Sequence, residues 1–324
     1  MAKLSIVGAG AWGSALSIAL SEKFSKIYLH THTEKELDSL STQHPTLEVA
    51  FPENIKPIFG LREIENSDAL IIAVPSYAFA QTLNDIKKYL KPSQPVAWVT
   101  KGFDTKNQCF LHQSFESILG GYAPCVISGP SFAFEVALQK PTALVVASKD
   151  KNAREFWAQA FHTKTLRAYT NADVIGVEIG GTVKNILAIA AGIASGLGFG
   201  ANTQAALITR GLAEMIRFGK SLGAEESTFN GLSGLGDLVL TCSDDLSRNR
   251  RFGKALATGK TAEEALLDVG ATVEGLNALN LVLSIAQERQ VEMPICRQVG
   301  KVIDAVVSPS EAVKHLMSRE QIDE

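Results

Sequence analysis

Short apolar runs alternate with helical segments in the first half of the chain. Continuous apolar runs are typical of strands covered on both faces, and Ala11–Leu20 carries apolar residues at helical spacing. The predicted strands are Leu4–Val7, Lys26–His30, Ala69–Val74, Val96–Thr100, Cys125–Ser128, Ala143–Ala147 and Thr165–Tyr169. Strands that alternate with helices predict an α/β domain with a doubly wound, mostly parallel sheet.

The pattern changes after about residue 175, where long apolar helical segments replace the alternation. The predicted helices are Val177–Leu197, Thr203–Leu222, Ser247–Thr258, Thr261–Val269, Thr272–Glu288 and Pro294–Val306. No convincing strand pattern occurs among them, which predicts an all-α domain. A chain of 324 residues has room for two domains of ordinary size. We therefore expect one domain over residues 1–178 and a second over 179–324.

A glycine motif stands directly after the first predicted strand and opens the first predicted helix. Its residues are Gly8, Gly10 and Gly13, in the pattern Gly-x-Gly-x-x-Gly. The first glycine permits a tight turn, the second lets the backbone approach a pyrophosphate, and the third lets helix and strand pack closely. Free N–H groups and the positive end of the helix bind the phosphates. This context predicts a Rossmann domain. A glycine turn without ligand and a methyl-donor nucleoside site are the alternatives.

The end of the second predicted strand bears on the choice between NAD and NADP. Domains specific for NAD tend to place Asp or Glu there, on the ribose 2′-OH. The sequence instead runs through His30 and His32, and Glu34 comes only afterwards. With no carboxylate expected at this position, we predict that NADP(H) is accepted, with NAD(H) as a further cofactor, and that His32 is a partner for the 2′-phosphate. Alternatively, both histidines are plain surface residues.

Composition and charge exclude several classes of protein. The formal net charge of −3 argues against a protein whose main role is nucleic-acid binding. Four cysteines lie far apart without a Cys-x-x-Cys pair, so we expect buried, reduced thiols and no metal site. Residues 1–7 lead straight into the glycine motif, so no signal peptide is expected. The most apolar stretch, Ile186–Phe199, is too short to span a bilayer. These features predict a cytoplasmic protein without stable membrane insertion.

Four further segments make a more specific pattern. They are Trp98–Gly102, Ser128–Glu135, Gly181–Gly192, and Gly231–Leu238 leading into Ser247–Gly253. Together with the glycine motif they resemble the bacterial NAD(P)-dependent glycerol-3-phosphate dehydrogenases, from Gly8 to about Glu274. The resemblance implies interconversion of dihydroxyacetone phosphate and sn-glycerol 3-phosphate, a phospholipid precursor. It also implies a Rossmann domain, an all-helical second domain and usually a homodimer.

Two lysines are the candidates for the chemistry that such a reaction needs. When a ketone is reduced, its oxygen needs a proton and a positive charge, and a lysine in a partly desolvated cleft supplies both. Lys184 stands in an otherwise apolar helical segment, although a lysine that extends along a helix end to water is the alternative. Lys101 ends a predicted strand, where ligands of doubly wound sheets collect, although it could be a surface lysine.

The remaining candidates lie in the downstream segments. Arg248 and Asn249 suit phosphate recognition, and Ser247 caps its helix and touches substrate. Asp237 orients Lys184 or binds a substrate hydroxyl, unless it is a helix N-cap. By resemblance, the substrate is contacted by Lys101, Gly129, Ser131, Lys184 and Asp237, and the cofactor by Ala11, Trp12, Lys101, Ala133, Arg248 and Glu274. We interpret Arg250 and Arg251 as a solvated helix face.

The chain departs from the family's pattern at three positions. Ala11 replaces a frequent serine, Ser195 a common acidic residue, and His32 a frequent arginine. Two other interpretations stay open. One is another two-domain hydroxyacid dehydrogenase with a Rossmann domain and a catalytic lysine. The other is a dinucleotide-binding sensor that has lost catalysis, against which the presence of Lys101, Lys184 and Asp237 argues.

Overall fold

The computed structural model describes residues 2–40 and 43–318, and the chain divides into two compact units, Met1–Glu178 and Ile179–Glu324. The first unit is built on a sheet of eight strands in the order β10-β9-β8-β5-β4-β1-β2-β3. A separate hairpin pairs β6 with β7. The strands are β1 Lys3–Val7, β2 Lys26–Thr31, β3 Ile55–Phe59, β4 Ala69–Ile72, β5 Val96–Trp98, β6 Phe103–Asp104, β7 Cys109–Phe110, β8 Val126–Ser128, β9 Thr142–Ala147 and β10 Leu166–Asn171.

Helices connect these strands and make up the second unit. Those that begin in the first unit are α1 Ala11–Leu20, α2 Glu34–Ser39, α3 Phe79–Ile86, α4 Leu111–Leu119, α5 Ala133–Ala137, α6 Lys151–Ala160 and α7 Val174–Gly196. Those of the second unit are α8 Ala201–Ser221, α9 Glu226–Phe229, α10 Asp237–Ser243, α11 Arg248–Ala257, α12 Ala262–Val269, α13 Glu274–Glu288, α14 Pro294–Ile303 and α15 Pro309–Met317. No strand occurs in residues 179–318. The predicted fold class, an α/β domain followed by an all-α domain, is confirmed.

The sheet is parallel except between β8 and β9, which pair antiparallel. The predicted, mostly parallel sheet is therefore confirmed, but three strands were missing from the prediction. One is the edge strand β3, which contains Pro57. Proline interrupts the apolar pattern but is tolerated on an edge strand because one side needs no hydrogen bonds. The other two form the β6–β7 hairpin, whose strands have two residues each and carry no periodicity.

The helix α7 is the apolar centre of the helical region. It has 23 residues, a mean hydropathy of 1.5 over its most apolar window, and 89% of that window is buried. By length and composition it could cross a membrane, so the expectation that every apolar stretch is too short was wrong. The helix begins twelve residues before Ile186, at Val174. Helices that are hydrophobic all round are also found in the cores of folded domains. The burial of α7 is typical of such a core helix.

A buried carboxylate fixes the start of α14 in the second unit. Glu214, on α8, is 1% exposed, and its two oxygens accept hydrogen bonds from the backbone N–H groups of Ile295 (2.6 Å) and Cys296 (3.3 Å). These groups would otherwise lack partners at the helix N-terminus. Burial raises the pKa of Glu214 to about 7, and the hydrogen bonds from α14 oppose that shift.

The pKa of Glu214 predicts a pH-dependent stability. Its carboxyl binds a proton more tightly in the folded chain (pKa about 7) than in the unfolded chain (4.5). The free energy of unfolding therefore falls as pH rises from 4.5 to about 7, by about 3 kcal/mol. Urea unfolding at pH 5 and pH 8 should show this loss, and Glu214→Gln, which is neutral at both values, should remove it.

Glu288→Gln is the matched control, because Glu288 is exposed at the end of α13. This variant should keep the difference in stability between pH 5 and pH 8. If Glu214→Gln keeps that difference too, Glu214 is not its source.

Candidate active site

The glycine motif forms the turn between β1 and α1. Gly8 has φ +109°, and its N–H donates to the carbonyl of His30 at the end of β2 (3.1 Å). A Cβ on Gly13 would lie 1.9 Å from the carbonyl oxygen of Gly8, so only glycine lets α1 start this close to the turn. A Cβ on Gly10 would meet nothing within 4 Å. The loop thus has an open space in front of its second glycine, which fits the approach of a pyrophosphate.

The other residues predicted near the cofactor occupy several helix starts. Ala11 and Trp12 begin α1, and Ala133 begins α5. All three are partly buried and pack against the same hydrophobic core. They lie in the first unit with the glycine motif, whereas Arg248 and Glu274 lie in the second.

Lys101, Gly129 and Ser131 come together at one carbonyl group. The Lys101 ammonium donates to the carbonyl of Gly129 (3.2 Å), and the Ser131 hydroxyl donates to the same oxygen (3.0 Å). Gly129 has φ +130°, which favours glycine at this turn after β8. The strand before Lys101 ends at Trp98, two residues earlier than predicted. Lys101 is half-buried and bonded to the Gly129 carbonyl.

Lys184 is buried in the interior of α7 and paired with a carboxylate. It is 7% exposed, and its ammonium donates to Asp237 Oδ1 (2.5 Å) and to Thr241 Oγ1 (2.8 Å). Asp237 is fully buried. Since the helix begins ten residues before Lys184, the interpretation as a lysine extending from a helix end was wrong. The ion pair offsets the cost of burying the lysine's charge.

Asp237 and Thr241 lie one turn apart on α10. Asp237 is the first residue of this helix, and the N-cap is Gly236, so the interpretation of Asp237 as an N-cap was wrong. The Thr241 hydroxyl donates to the backbone carbonyl of Asp237 (2.6 Å), which leaves its oxygen to accept from Lys184. The sequence analysis missed Thr241 because none of its predicted helices covers residues 237–243, where α10 lies. The spacing of four residues between aspartate and threonine was the available signal.

A chain of amides connects the residue after Lys184 to two other helices. Asn249 donates through Nδ2 to Asn185 Oδ1 (3.0 Å) and accepts through Oδ1 from the N–H of Gly275 (2.9 Å). Ser247 caps α11, since its hydroxyl accepts from the N–H of Arg250 (3.2 Å). Asn249 is thus fixed within the protein by both ends of its amide.

Arg248 and Glu274 are the first residues of α11 and α13. Arg248 is solvent-exposed, although neighbouring atoms still desolvate its charge: desolvation lowers the pKa of the guanidinium, and the Glu274 carboxylate opposes that shift. The two residues are therefore electrostatic neighbours. The guanidinium keeps its charge in any case, because arginine is protonated throughout the physiological range.

The prediction of a solvated helix face is wrong for Arg250, whereas Arg251 is exposed as predicted. The side chain of Arg250 is 11% exposed and pairs with Asp245, and it donates to the Ser195 hydroxyl (3.1 Å). Its Nε is buried with no partner among the residues that the structure describes. Ser195, where the family commonly has an acid, thus serves as a neutral acceptor for Arg250.

The end of β2 differs from the sequence prediction in two ways. His30 is buried, with its ring nitrogens bonded to the carbonyl of Gly60 (2.6 Å) and the hydroxyl of Ser5 (2.9 Å), so it is not a surface residue. His32 is exposed, which agrees with its interpretation as a plain surface residue. A carboxylate does lie here, since Glu36 Oε2 accepts from the backbone N–H of His32 (2.7 Å). The prediction missed it because Glu36 follows the strand by five residues and folds back.

Three of the four cysteines, Cys125, Cys242 and Cys296, are buried, and Cys109 is half-buried. Lys184, Asp237 and Thr241 form the lysine cluster. Cys242 neighbours this cluster, and burial raises the pKa of its thiol to about 12. It is therefore a neutral side chain there. Within residues 2–40 and 43–318, no group of three His, Cys, Asp or Glu side chains is arranged to hold a metal ion.

The geometry of the glycine motif predicts different effects for two similar substitutions. Gly10 has φ −64°, which alanine adopts without strain, so Gly10→Ala should fold normally and place its methyl group in the open space. We expect NADH binding, measured by calorimetry, to weaken by about tenfold or more, because the pyrophosphate must approach this backbone. Gly13→Ala should instead lower the Tm, because its Cβ collides with Gly8.

Unchanged NADH affinity in a folded Gly10→Ala variant would contradict the placement of the pyrophosphate at this loop. A large loss of Tm in Gly10→Ala would contradict the open space itself.

Comparisons with known proteins agree over nearly the whole chain. The model of the NAD-dependent glycerol-3-phosphate dehydrogenase N-terminus matches residues 3–154, and that of the C-terminus matches residues 173–314. A glycerol-3-phosphate dehydrogenase [NAD(P)+] of Vesicomyosocius okutanii is 61% identical over 98% of this chain and 97% of its own length. One from Legionella pneumophila is 47% identical over 98% and 97%.

Among solved structures, the crystal structure of glycerol-3-phosphate dehydrogenase from Coxiella burnetii superimposes with a TM-score of 0.93. It is 40% identical, and the match covers 98% of this chain and 99% of that one. The family models together cover most of the chain, and the relatives match it almost end to end. The chain therefore belongs to the NAD-dependent glycerol-3-phosphate dehydrogenase family.

Proposed function

We propose that this chain is an NAD(P)-dependent sn-glycerol-3-phosphate dehydrogenase. It interconverts dihydroxyacetone phosphate and sn-glycerol 3-phosphate and thereby supplies a precursor for phospholipid synthesis. The observation that carries the proposal is the ammonium of Lys184, buried in an apolar helix and held by the fully buried carboxylate of Asp237. A charge is costly to bury unless it is paired. Because the chain belongs to a family of dehydrogenases, we assign the paired ammonium of Lys184 the role of proton donor.

The unit over residues 1–178 is the dinucleotide-binding domain of the proposal, and that over 179–324 the substrate domain. When bound, the cofactor supplies or accepts the hydride exchanged with the substrate carbon. The open loop around Gly10 supports pyrophosphate binding by backbone N–H groups. The proposed cofactor contacts are Gly8, Gly10, Ala11, Trp12, Gly13, His32, Lys101, Ala133, Arg248 and Glu274.

Lys184 is the proposed proton donor. During reduction the ketone oxygen gains negative charge and needs a proton, and the ammonium supplies both the proton and a compensating charge. Asp237 holds the Nζ atom from one side and Thr241 from another, so two of its N–H bonds have fixed directions. This positioning leaves the lysine preorganised, which lowers the cost of aligning it with the substrate. In the reverse direction, the same nitrogen takes the proton back.

Substrate recognition is assigned to two sets of residues. Lys101 and Ser131 offer an ammonium and a hydroxyl that both donate to the carbonyl of Gly129, which forms the turn between them. In the second unit, Arg248 offers a planar fork of donors that suits phosphate oxygens. Lys184, Asp237, Ser247 and Asn249 complete the proposed substrate contacts.

A different two-domain hydroxyacid dehydrogenase is the alternative. Such an enzyme would recognise a carboxylate in place of a phosphate, and Arg248 binds either group. Membership of the glycerol-3-phosphate dehydrogenase family favours the phosphate. Turnover with dihydroxyacetone phosphate separates the two functions.

We also propose that the protein is a cytoplasmic homodimer that enters no membrane and binds no nucleic acid. Burial of α7 within the fold supports the absence of membrane insertion. Three large apolar side chains in or within three residues of α10 stay exposed in the single chain, and exposed apolar surface is typical of interaction sites: Leu235 (37%), Val239 (41%) and Leu246 (49%). Light scattering should give twice the mass of one chain, and Val239→Glu should shift it toward the monomer. A monomeric wild type would reject the dimer.

The proposed function predicts NADPH or NADH oxidation that depends on dihydroxyacetone phosphate and on Lys184. Lys184→Ala should lower kcat by about a thousandfold or more, since it removes the proton donor and its charge. Cofactor affinity, measured by calorimetry, should change by less than about threefold, because the glycine loop is untouched.

Lys220→Ala is the control, because Lys220 is an exposed lysine of the second unit that pairs with Glu226 (2.7 Å). It should keep wild-type kcat. Absence of turnover by the wild type with dihydroxyacetone phosphate and both cofactors would reject the proposed function. Normal turnover by Lys184→Ala would reject only the choice of proton donor.

A further inference from the structure

The end of β2 is fixed relative to the glycine loop. The N–H of Gly8 donates to the carbonyl of His30 (3.1 Å), so the loop and the strand end are joined directly. The ring of His30 is bonded on both sides, to Gly60 and to Ser5. Burial lowers the pKa of His30, and the ring is thus a neutral link between β2, the interior of β1 and the residue after β3. The residues after His30 therefore start from a fixed position beside the loop.

Glu36 places a carboxylate at this position, although it belongs to α2. The Thr33 hydroxyl caps α2 by accepting from the N–H of Glu36 (3.1 Å). The Glu36 side chain in turn folds back, and its Oε2 accepts from the N–H of His32 (2.7 Å). These two hydrogen bonds form a reciprocal cap, with the carboxylate bonded one residue earlier than the N-cap. The Glu36 carboxylate is therefore held at the N–H of His32, directly after the end of β2.

The second oxygen of Glu36 remains available. Oε1 accepts no hydrogen bond from any residue in the described ranges, and the side chain is half-buried. In a dinucleotide-binding domain the adenosine ribose lies at the end of β2, where a carboxylate accepts from its 2′-OH. Glu36 supplies such a carboxylate from the following helix instead of from the strand.

We propose that Glu36 determines the cofactor preference of this chain, favouring NAD(H) over NADP(H) while both remain usable. The proposal rests on the proposed function. An ionised carboxylate accepts a hydrogen bond from the 2′-OH of NAD(H), but it repels the 2′-phosphate of NADP(H). The sequence analysis predicted that NADP(H) is accepted because it expected no carboxylate at the strand end. Glu36 does place a carboxylate there.

The charges around Glu36 reinforce this preference. The α2 helix carries three carboxylates, Glu34, Glu36 and Asp38, and a single lysine, Lys35. His32, where the family often has arginine, offers a hydrogen-bonding ring in place of a fixed positive charge. The short helix therefore carries a net negative charge, which disfavours a 2′-phosphate near it. Among these groups, only Glu36 is bonded to the backbone at the strand end in the described residues.

Calorimetric titration of the full-length protein with NADH and NADPH tests the proposal without turnover. The quantity that decides is the ratio of the two dissociation constants. We expect wild type to bind NADH more tightly, and Glu36→Gln to shift the ratio toward NADPH by about tenfold, because one repulsive charge at close range is removed. Higher salt should shrink the wild-type preference, since exposed charges are screened.

Glu34→Gln is the matched control, because it removes an equal charge from the same turn of α2 without touching the His32 backbone. It should leave the ratio within about twofold of wild type. An equal shift in Glu34→Gln would overturn the assignment to Glu36. An unchanged ratio of dissociation constants in Glu36→Gln would also overturn the proposal. Weaker binding of both cofactors at the same ratio would mean that the substitution only loosens the loop.

Two results for the wild type separate this proposal from the function itself. Equal binding of NADH and NADPH would overturn the role of Glu36 and leave the dehydrogenase assignment standing. Failure to bind either cofactor would reject the dehydrogenase assignment.

Discussion

The buried ion pair between Lys184 and Asp237 is the constraint on which the second unit depends. Lys184 lies on a mostly apolar, buried helix, so its charge is tolerable only with a carboxylate within hydrogen-bond distance. The segment before α10 must therefore approach α7 closely. Gly180 permits this, because a Cβ there would lie 2.3 Å from the carbonyl oxygen of Ser233. This close contact between α7 and the backbone of Ser233 brings Asp237 within hydrogen-bond distance of Lys184.

The same close packing brings α11 to α7 and fixes the amide chain. A Cβ on Gly192 would lie 2.0 Å from the carbonyl oxygen of Arg250, and one on Gly253 would lie 2.1 Å from that of Ile189. The two helices thus meet backbone to backbone. As a result Asn249 reaches Asn185, the residue after Lys184. The positions of the polar residues in this cluster therefore follow from small residues at the helix contacts as much as from the polar residues themselves.

Sequence reasoning succeeded where one residue type has one physical purpose at a fixed spacing. The glycine motif and the lysine in an apolar helix are of this kind, and both lie where the pattern places them. It failed where the structure depends on a side chain that folds back or on a short element. Thr241 lies on the short helix α10, over which no helix was predicted. The Glu36 carboxylate folds back to the N–H of His32, and no periodicity signals such a bond. The strand β3 was hidden by Pro57, which its edge position tolerates.

The two units differ in how they hold their polar groups, and this difference decides what substitution can change. The glycine loop presents backbone groups, so its geometry depends on the absence of side chains at Gly8 and Gly13. The lysine cluster consists of side chains fixed by one another. Glu36 combines both principles, because a side chain is held by a backbone N–H at the end of a strand. In the proposed role of Glu36, one half-buried residue changes cofactor preference without disturbing either the core of the sheet or the buried lysine.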